Sequence, residues 1–275
     1  MSVAATGTVD TEKRSSVLSA LSILKPALMP TISVGGFLLV WYLEAAVVKL
    51  IPATFLPPPT DVLAALVYMI SEPVAGHTIW GHAELSLLRF ALGFTVAACI
   101  AIPLGILMAW CDSIDAIVGP IFEVLRFIPP IAWVPFAILW YGTGIQGQAF
   151  VIGIGVFAAC LINAHRGVKL VDPVLINAAK VLGAKDWHVV KEVALPSAFP
   201  VIVAGIRIGA GLGWMSLIGA ELVAAEAGLG YLIEAGQNIL ALGQVIAGMI
   251  VIGLIGTVID VILRIVERRV GHWRQ

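Results

Sequence analysis

The chain has 275 residues, a formal net charge of −1, 60% hydrophobic and 12% charged residues, and a mean hydropathy of +1.03. A soluble domain carries about twice that charged fraction, so the composition argues against one and makes membrane lipid the expected solvent. The near-neutral balance argues against nucleic acid as a partner, because its binders carry basic patches.

A polar tail with Lys13, Arg14 and Lys25 leads into an apolar run from Ile32 to Val48. That run is long for a secretory signal, and no A-x-A site followed by a soluble domain comes after it. A retained first span is expected. A bilayer needs about 20 mainly apolar residues per helix, and six such stretches are read at 31–50, 84–110, 117–141, 148–166, 200–225 and 241–265. The run Leu56-Pro57-Pro58-Pro59-Thr60-Asp61 ends the first arm, since consecutive prolines remove donors and stop a helix. A short amphipathic helix over 60–71 is expected to follow at the membrane surface.

Lys and Arg set the orientation. With the N-terminus inside and six spans, Lys13, Arg14, Lys25, Arg166, Lys169, Lys180, Lys185, Lys191, Arg264, Arg268, Arg269 and Arg274 all face the cytoplasm. Only Lys49 clearly lies outside. Both termini and the 166–199 loop are therefore expected on the cytoplasmic side.

That loop is a polar, helix-forming island in an apolar chain. Asp172-Pro173 reads as a helix start, with a capping carboxylate before a proline at the first helical position. Val174, Leu175, Ala178, Ala179 and Leu182 make an apolar stripe at helical spacing. Gly183 is placed to end the helix in a left-handed conformation. Asp186 is expected to cap a second short helix, 187–194, closed by Leu195-Pro196. Small Ala178, Ala179 and Gly183 suit close docking into a protein groove. A loop lying on lipid would instead carry bulky anchors and a denser basic face.

The segment Asn177-Ala178-Ala179, Leu182-Gly183 and, further on, Leu195-Pro196 resembles the coupling loop of binding-protein-dependent ABC importer permeases. Similarity extends to Phe55-Leu56-Pro57-Pro58-Pro59, to Arg126-Phe127-Ile128-Pro129-Pro130-Ile131-Ala132-Trp133-Val134-Pro135, to Trp140-Tyr141-Gly142-Thr143-Gly144, and to Gly211-Leu212-Gly213-Trp214 with Gly219-Ala220-Glu221-Leu222. Together these resemble the nitrate/sulfonate/taurine/bicarbonate permease family, with taurine permeases the nearest likeness. The family has glutamate where this chain has Asn177, which removes one charge that could pair with an ATPase.

The resemblance implies an all-α integral membrane protein with six transmembrane helices in the type I ABC importer permease fold. Its domains would be a tail (1–30), a six-span permease domain (31–266) with a coupling loop (167–199), and a C-terminal tail (267–275). It implies ATP-driven uptake of a small anionic or zwitterionic solute, taurine or another alkanesulfonate first, with nitrate, bicarbonate or an aromatic acid as alternatives. Coupling to the ATPase would use Asn177, Ala178, Ala179, Leu182, Gly183, Asp186, Leu195 and Pro196. The implied partners are a second copy of the chain, two ABC ATPase subunits and a periplasmic or lipid-anchored substrate-binding protein in a bacterial inner membrane. No lysine here is followed by Ser or Thr, so a Walker A loop is absent. The chain is expected to be no enzyme and to hold no cofactor, with ATP and Mg carried by the partner ATPase.

Ionisable residues at bilayer depth normally face protein or water; here they are Glu44, Glu84, Arg89, Glu123, Arg126, Arg207, Glu221, Glu226 and Asp260. Glu123 and Arg126 are neighbours on one helix face, beside the proline-broken stretch 129–135. Arg126 reads either as a cation lining an anion pathway or as half of a structural pair that sets the kink. Glu221 reads as a partner for a substrate amine or as a cap on a helix break, and Arg207 as a side chain snorkelling to the interface. Gly205, Gly209 and Gly213 form a small-residue face, either inside one subunit or at a seam between two. In the second case Trp214, Met215 and Ser216 would line the pathway. Candidate pathway residues are thus Glu123, Arg126, Pro129, Trp133, Trp214, Ser216 and Glu221. Cys99, Cys111 and Cys160 have no metal-ligand spacing, and His77, His82, His165, His188 and His272 are scattered, so no metal or catalytic constellation is expected. A secondary transporter would show internal repeats of several spans, and none is visible.

Overall fold

The computed structural model describes residues 29, 31–52 and 54–271. The tail read over 1–30 lies almost wholly outside the described residues, as do 272–275. By its contacts the chain divides into one unit through Ala64 and another from Ala65 onward.

The first unit contains α1 (Thr31–Val48), which is apolar and long enough to span a bilayer. Its last six residues, Leu43–Val48, widen into a π turn, and Lys49 stops it in a left-handed conformation (φ 56°). Pro57 ends the following loop by accepting a hydrogen bond from the Trp41 indole, 3.2 Å. Next comes α2 (Pro59–Ser71), the short helix expected over 60–71.

The second unit is built on α3 (Ile79–Trp110), α6 (Ile145–Lys169) and α9 (Leu195–Ala224). Small residues let these long helices approach closely. A Cβ added at Gly93 would lie 2.6 Å from the Ala149 carbonyl, and one at Gly105 would lie 2.6 Å from that of Leu161. Thus α3 and α6 run parallel. On the other side of α6, Gly205, Gly209 and Gly213 of α9 face Asn163, Cys160 and Val156 in descending order, so α9 is antiparallel. The glycine face therefore packs inside one chain rather than forming a seam between copies. Ile152, Val156, Leu161, Ala164 and Leu217 are fully buried between these helices.

Around this core lie α4 (Asp112–Leu125), a 3-10 turn (Pro130–Trp133), α5 (Val134–Tyr141), α7 (Pro173–Val181), α8 (Asp186–Val189), α10 (Leu229–Asn238) and α11 (Leu242–Gly271). The stretch read as one span over 117–141 is instead two helices bent by 93°. Neither Pro129 nor Pro130 can donate to a helix ladder, so the chain breaks there. Among the described residues, five helices are long and apolar enough to cross a membrane, or six if the bent pair counts as one span.

A second correction concerns Leu195-Pro196. It does not close a helix: α8, a π turn at Val190–Ala194 and α9 form one helical stretch, Asp186–Ala224. Pro196 has no N–H to donate, and the helical stretch passes it directly after the π turn, where the Leu195 N–H donates to Val190 O.

Candidate functional site

At one end of the core, the chain leaves α6 and turns into α7. The Asp172 carboxylate accepts the Val174 N–H at 2.9 Å with Pro173 at the first helical position, as the sequence suggests. Gly183 takes φ +87°. Its N–H donates to Lys180 O (3.0 Å), and the Ala184 N–H donates to Ala179 O (3.0 Å). These paired bonds are a Schellman turn, which ends α7 and aims its last residues outward. Val181 and Leu182 are each 87% exposed and Trp187 69%. Asn177 and Ala178 share this exposed surface, and Ala179 is half-buried.

Asp186 is a correction. Lys185 is the N-cap of α8, and Asp186 sits inside the first turn without a capping bond. It instead pairs with Lys180 across the glycine turn at 3.3 Å. Leu195 and Pro196 are half-buried at the loop's base rather than at its tip. Ile176 anchors the loop on a core of Ala109, Ala164, Val168, Val171, Ala194, Ala198 and Ile202. A cleft of about 600 Å³ lies beside this anchor, between Asp172 and Leu175 on one side and Glu192, Pro196 and Pro200 on the other. The tip thus exposes Val181, Leu182 and Trp187 beside the Lys180–Asp186 pair, while its base joins the ends of α3, α6 and α9.

The bent segment carries four of the pathway candidates. Glu123 and Arg126 are paired at 2.7 Å, with side chains 61% and 29% exposed. The Arg126 guanidinium also lies 4.7 Å from the Phe127 ring centroid. Pro129 is exposed at the break. Trp133 packs edge-on to Phe136 and Phe150, and its buried indole nitrogen has no hydrogen-bond partner. Trp133 borders an apolar cavity of about 530 Å³ shared by α3, α4 and α6.

The remaining three candidates lie inside the single-chain bundle. Ser216 bonds back to Leu212 O at 2.7 Å and packs on Gly155. Trp214 is buried against Phe90 and donates to Ile252 O at 3.2 Å. Glu221 has no exposed surface. Its oxygens accept from Ser86 Oγ (2.8 and 2.9 Å), Arg89 Nη1 (2.7 Å) and the Gly230 N–H (2.9 Å). Arg89 also donates to Ala227 O. Ser86 Oγ accepts the Leu229 N–H (2.9 Å), and His82 Nδ1 accepts that of Gly228 (3.0 Å). His82 Nε2 then donates to Val74 O at 2.9 Å, which makes the ring the neutral Nε2–H tautomer. Three orphan donors at the start of α10 are thus satisfied by side chains of α3 and α9.

This network was only partly legible. Glu221 and Arg89 stood out as intramembrane charges, but their mutual pairing did not. His82, Ser86 and Arg89 fall at i, i+4 and i+7, a polar stripe on an apolar helix, and that spacing was the signal available. Arg207 is also corrected: it does not snorkel freely but bonds Asp260 (2.6 Å) and Glu267 (3.1 Å).

An apolar bundle with helices long enough to span a bilayer and a helical loop presented at one end defines a polytopic membrane protein. The chain belongs to the family of binding-protein-dependent transport system inner membrane components, whose pattern matches residues 101–272. It is 38% identical over 247 residues to the taurine transport system permease protein TauC of Escherichia coli strain K12, covering 88% of this chain and 90% of that one. It is 31% identical to the putative aliphatic sulfonates transport permease protein SsuC of Bacillus subtilis strain 168, over 91% and 88%. Identity to the bicarbonate transport system permease protein CmpB of Synechococcus elongatus is 32%, over 85% of each. Among solved structures, an inward-facing MetNI methionine ABC transporter chain superposes with a TM-score of 0.57 at 20% identity, covering 70% of this chain and 94% of that one. This is the fold expected from the sequence.

Proposed function

We propose that the chain is the permease of an ATP-driven, binding-protein-dependent importer for taurine or another alkanesulfonate. The observation that carries the ATP-driven part is the loop tip, where Val181, Leu182 and Trp187 are exposed on a turn set by Gly183. Apolar side chains held out around a tight helix-ending turn call for a protein groove. An ABC ATPase, binding ATP and Mg, supplies that groove to each of two permease copies. The anchor at Ile176 then passes motion of the loop to the ends of α3, α6 and α9.

Taurine is favoured because the taurine relative matches nearly the full length at 38% identity. Bicarbonate is the second reading, favoured by the 32% match to a bicarbonate permease. Lys and Arg placement supports a cytoplasmic loop and cytoplasmic termini in a bacterial inner membrane. Solute reaches the permease from a periplasmic or lipid-anchored binding protein. Glu123, Arg126, Pro129 and Trp133 are the pathway candidates that lie at or beside the bend.

The test is uptake of labelled taurine by cells carrying the chain with its native partner subunits, in competition with alkanesulfonates, nitrate and bicarbonate. ATP-dependent uptake blocked by sulfonates is expected. Uptake blocked only by bicarbonate would replace the substrate, and uptake that persists without the ATPase gene would replace the class.

A further inference from the structure

Near the loop end of the bundle, a cavity of about 460 Å³ lies between α9 and α11, lined by Pro200, Arg207, Arg264, Glu267 and Arg268. Its charges do not cancel. Asp260 and Glu267 hold Arg207 at 2.6 and 3.1 Å, and Asp260 also holds Arg264 at 2.8 Å. Arg268 has no ion-pair partner among the described residues, which leaves three guanidinium groups facing two carboxylates.

The neighbouring face of α11 is apolar and open. Leu254, Val258, Val261, Ile262 and Ile265 are 44–59% exposed. They form one stripe at helical spacing that leads toward Arg268. Eleven residues of helix rise about 17 Å, close to half of a hydrocarbon core of about 30 Å. The stripe, which continues past Leu254 to Ile250 and Met249, is long enough to take one acyl chain, and it ends at the arginines, as basic residues at the end of a spanning helix do.

We propose that this cavity binds the phosphate of an anionic membrane lipid, with an acyl chain along the α11 stripe. Arg264 and Arg268, one helical turn apart, hold the phosphate from α11. Arg207 lines the same cavity, held by Asp260 and Glu267. A free inorganic anion would use the cavity alone and leave the stripe without a role. A soluble acidic partner could reach the arginines but not a stripe at bilayer depth.

The assembled transporter, purified in detergent, would be incubated with phosphatidylglycerol or with phosphatidylcholine of identical chains, and bound lipid counted by native mass spectrometry. Phosphatidylglycerol should be retained preferentially. Arg268→Gln should lower that retention about fivefold, and Arg264→Gln with Arg268→Gln more, as expected for basic residues near an anionic surface. Arg268→Lys should keep most of it. Arg268 lies outside the ion pairs that hold Arg207, so the melting temperature should not move.

Unchanged phosphatidylglycerol retention in the double variant would overturn the proposal. Displacement by inorganic phosphate, with no dependence on acyl-chain length, would reduce the site to an anion pocket and overturn the lipid assignment. Loss of ATPase subunits or of the second copy, with lipid unchanged, would make the arginines a protein contact instead.

Discussion

Glu221 is held by donors from three directions, and removing its charge would leave Arg89 buried without its counter-ion. Breaking one side of a buried pair costs about 3 kcal/mol. Glu221→Gln should therefore lower the melting temperature of the purified protein, and Arg89→Met in the same chain should recover part of the loss. A variant as stable as the parent would show that the Glu221 charge is not needed to hold Arg89 in the network. Gly228 is part of the same arrangement: at φ +126°, a Cβ there would run into the Glu221 carboxylate and the Arg89 guanidinium. Arg126 is a different case. Its pairing with Glu123 is partly exposed, and such a pair contributes at most about 1 kcal/mol. Arg126→Ala should leave membrane levels nearly unchanged while uptake falls several-fold. Equal loss of protein and uptake would assign Arg126 to the kink alone.

At the scale of elements, the loop between α6 and α9 was the most legible part of the chain. Asp172, Pro173 and Gly183 each carry a local backbone signal, and helix caps are decided by a few neighbouring residues. At the end of the second helix the sequence signal misleads, because Leu195-Pro196 looks like a stop. Proline in a helix interior removes a donor and tends to stop it, but here the π turn at Val190–Ala194 precedes it and the helical stretch runs on to Ala224. Gly183→Trp tests the loop directly. Nothing lies within 4 Å of a Cβ at Gly183, so a side chain fits, and the cost is the left-handed backbone, about 1–2 kcal/mol. The variant should fold and reach the membrane but fail to couple ATP hydrolysis to uptake. Normal uptake by it would remove the loop from the coupling role. The bent third span was half legible: the prolines announced a break, but the 93° turn depends on how α4 and α5 settle against α3 and α6.

At the scale of the molecule, the contact between α3 and α6 is set by glycines at backbone distance. Gly105→Leu would drive a side chain into the Leu161 carbonyl, where neither backbone has room to yield. Overpacking of this kind costs about 2 kcal/mol or more, and the yield of monodisperse protein should fall sharply. Unchanged yield and melting temperature would mean that the helices tolerate wider spacing. By itself the sequence determined that the chain lives in a membrane, where its apolar helices lie and what family it resembles. Hydropathy, caps and motifs are local properties, readable within about one helix length. Only the tertiary structure decided that Glu221, Trp214 and Ser216 sit inside one chain, that Arg207 is paired, and that His82, Ser86 and Arg89 clasp the start of α10. Those facts join residues more than 130 positions apart in the network, and no local pattern specifies which distant donor meets which acceptor.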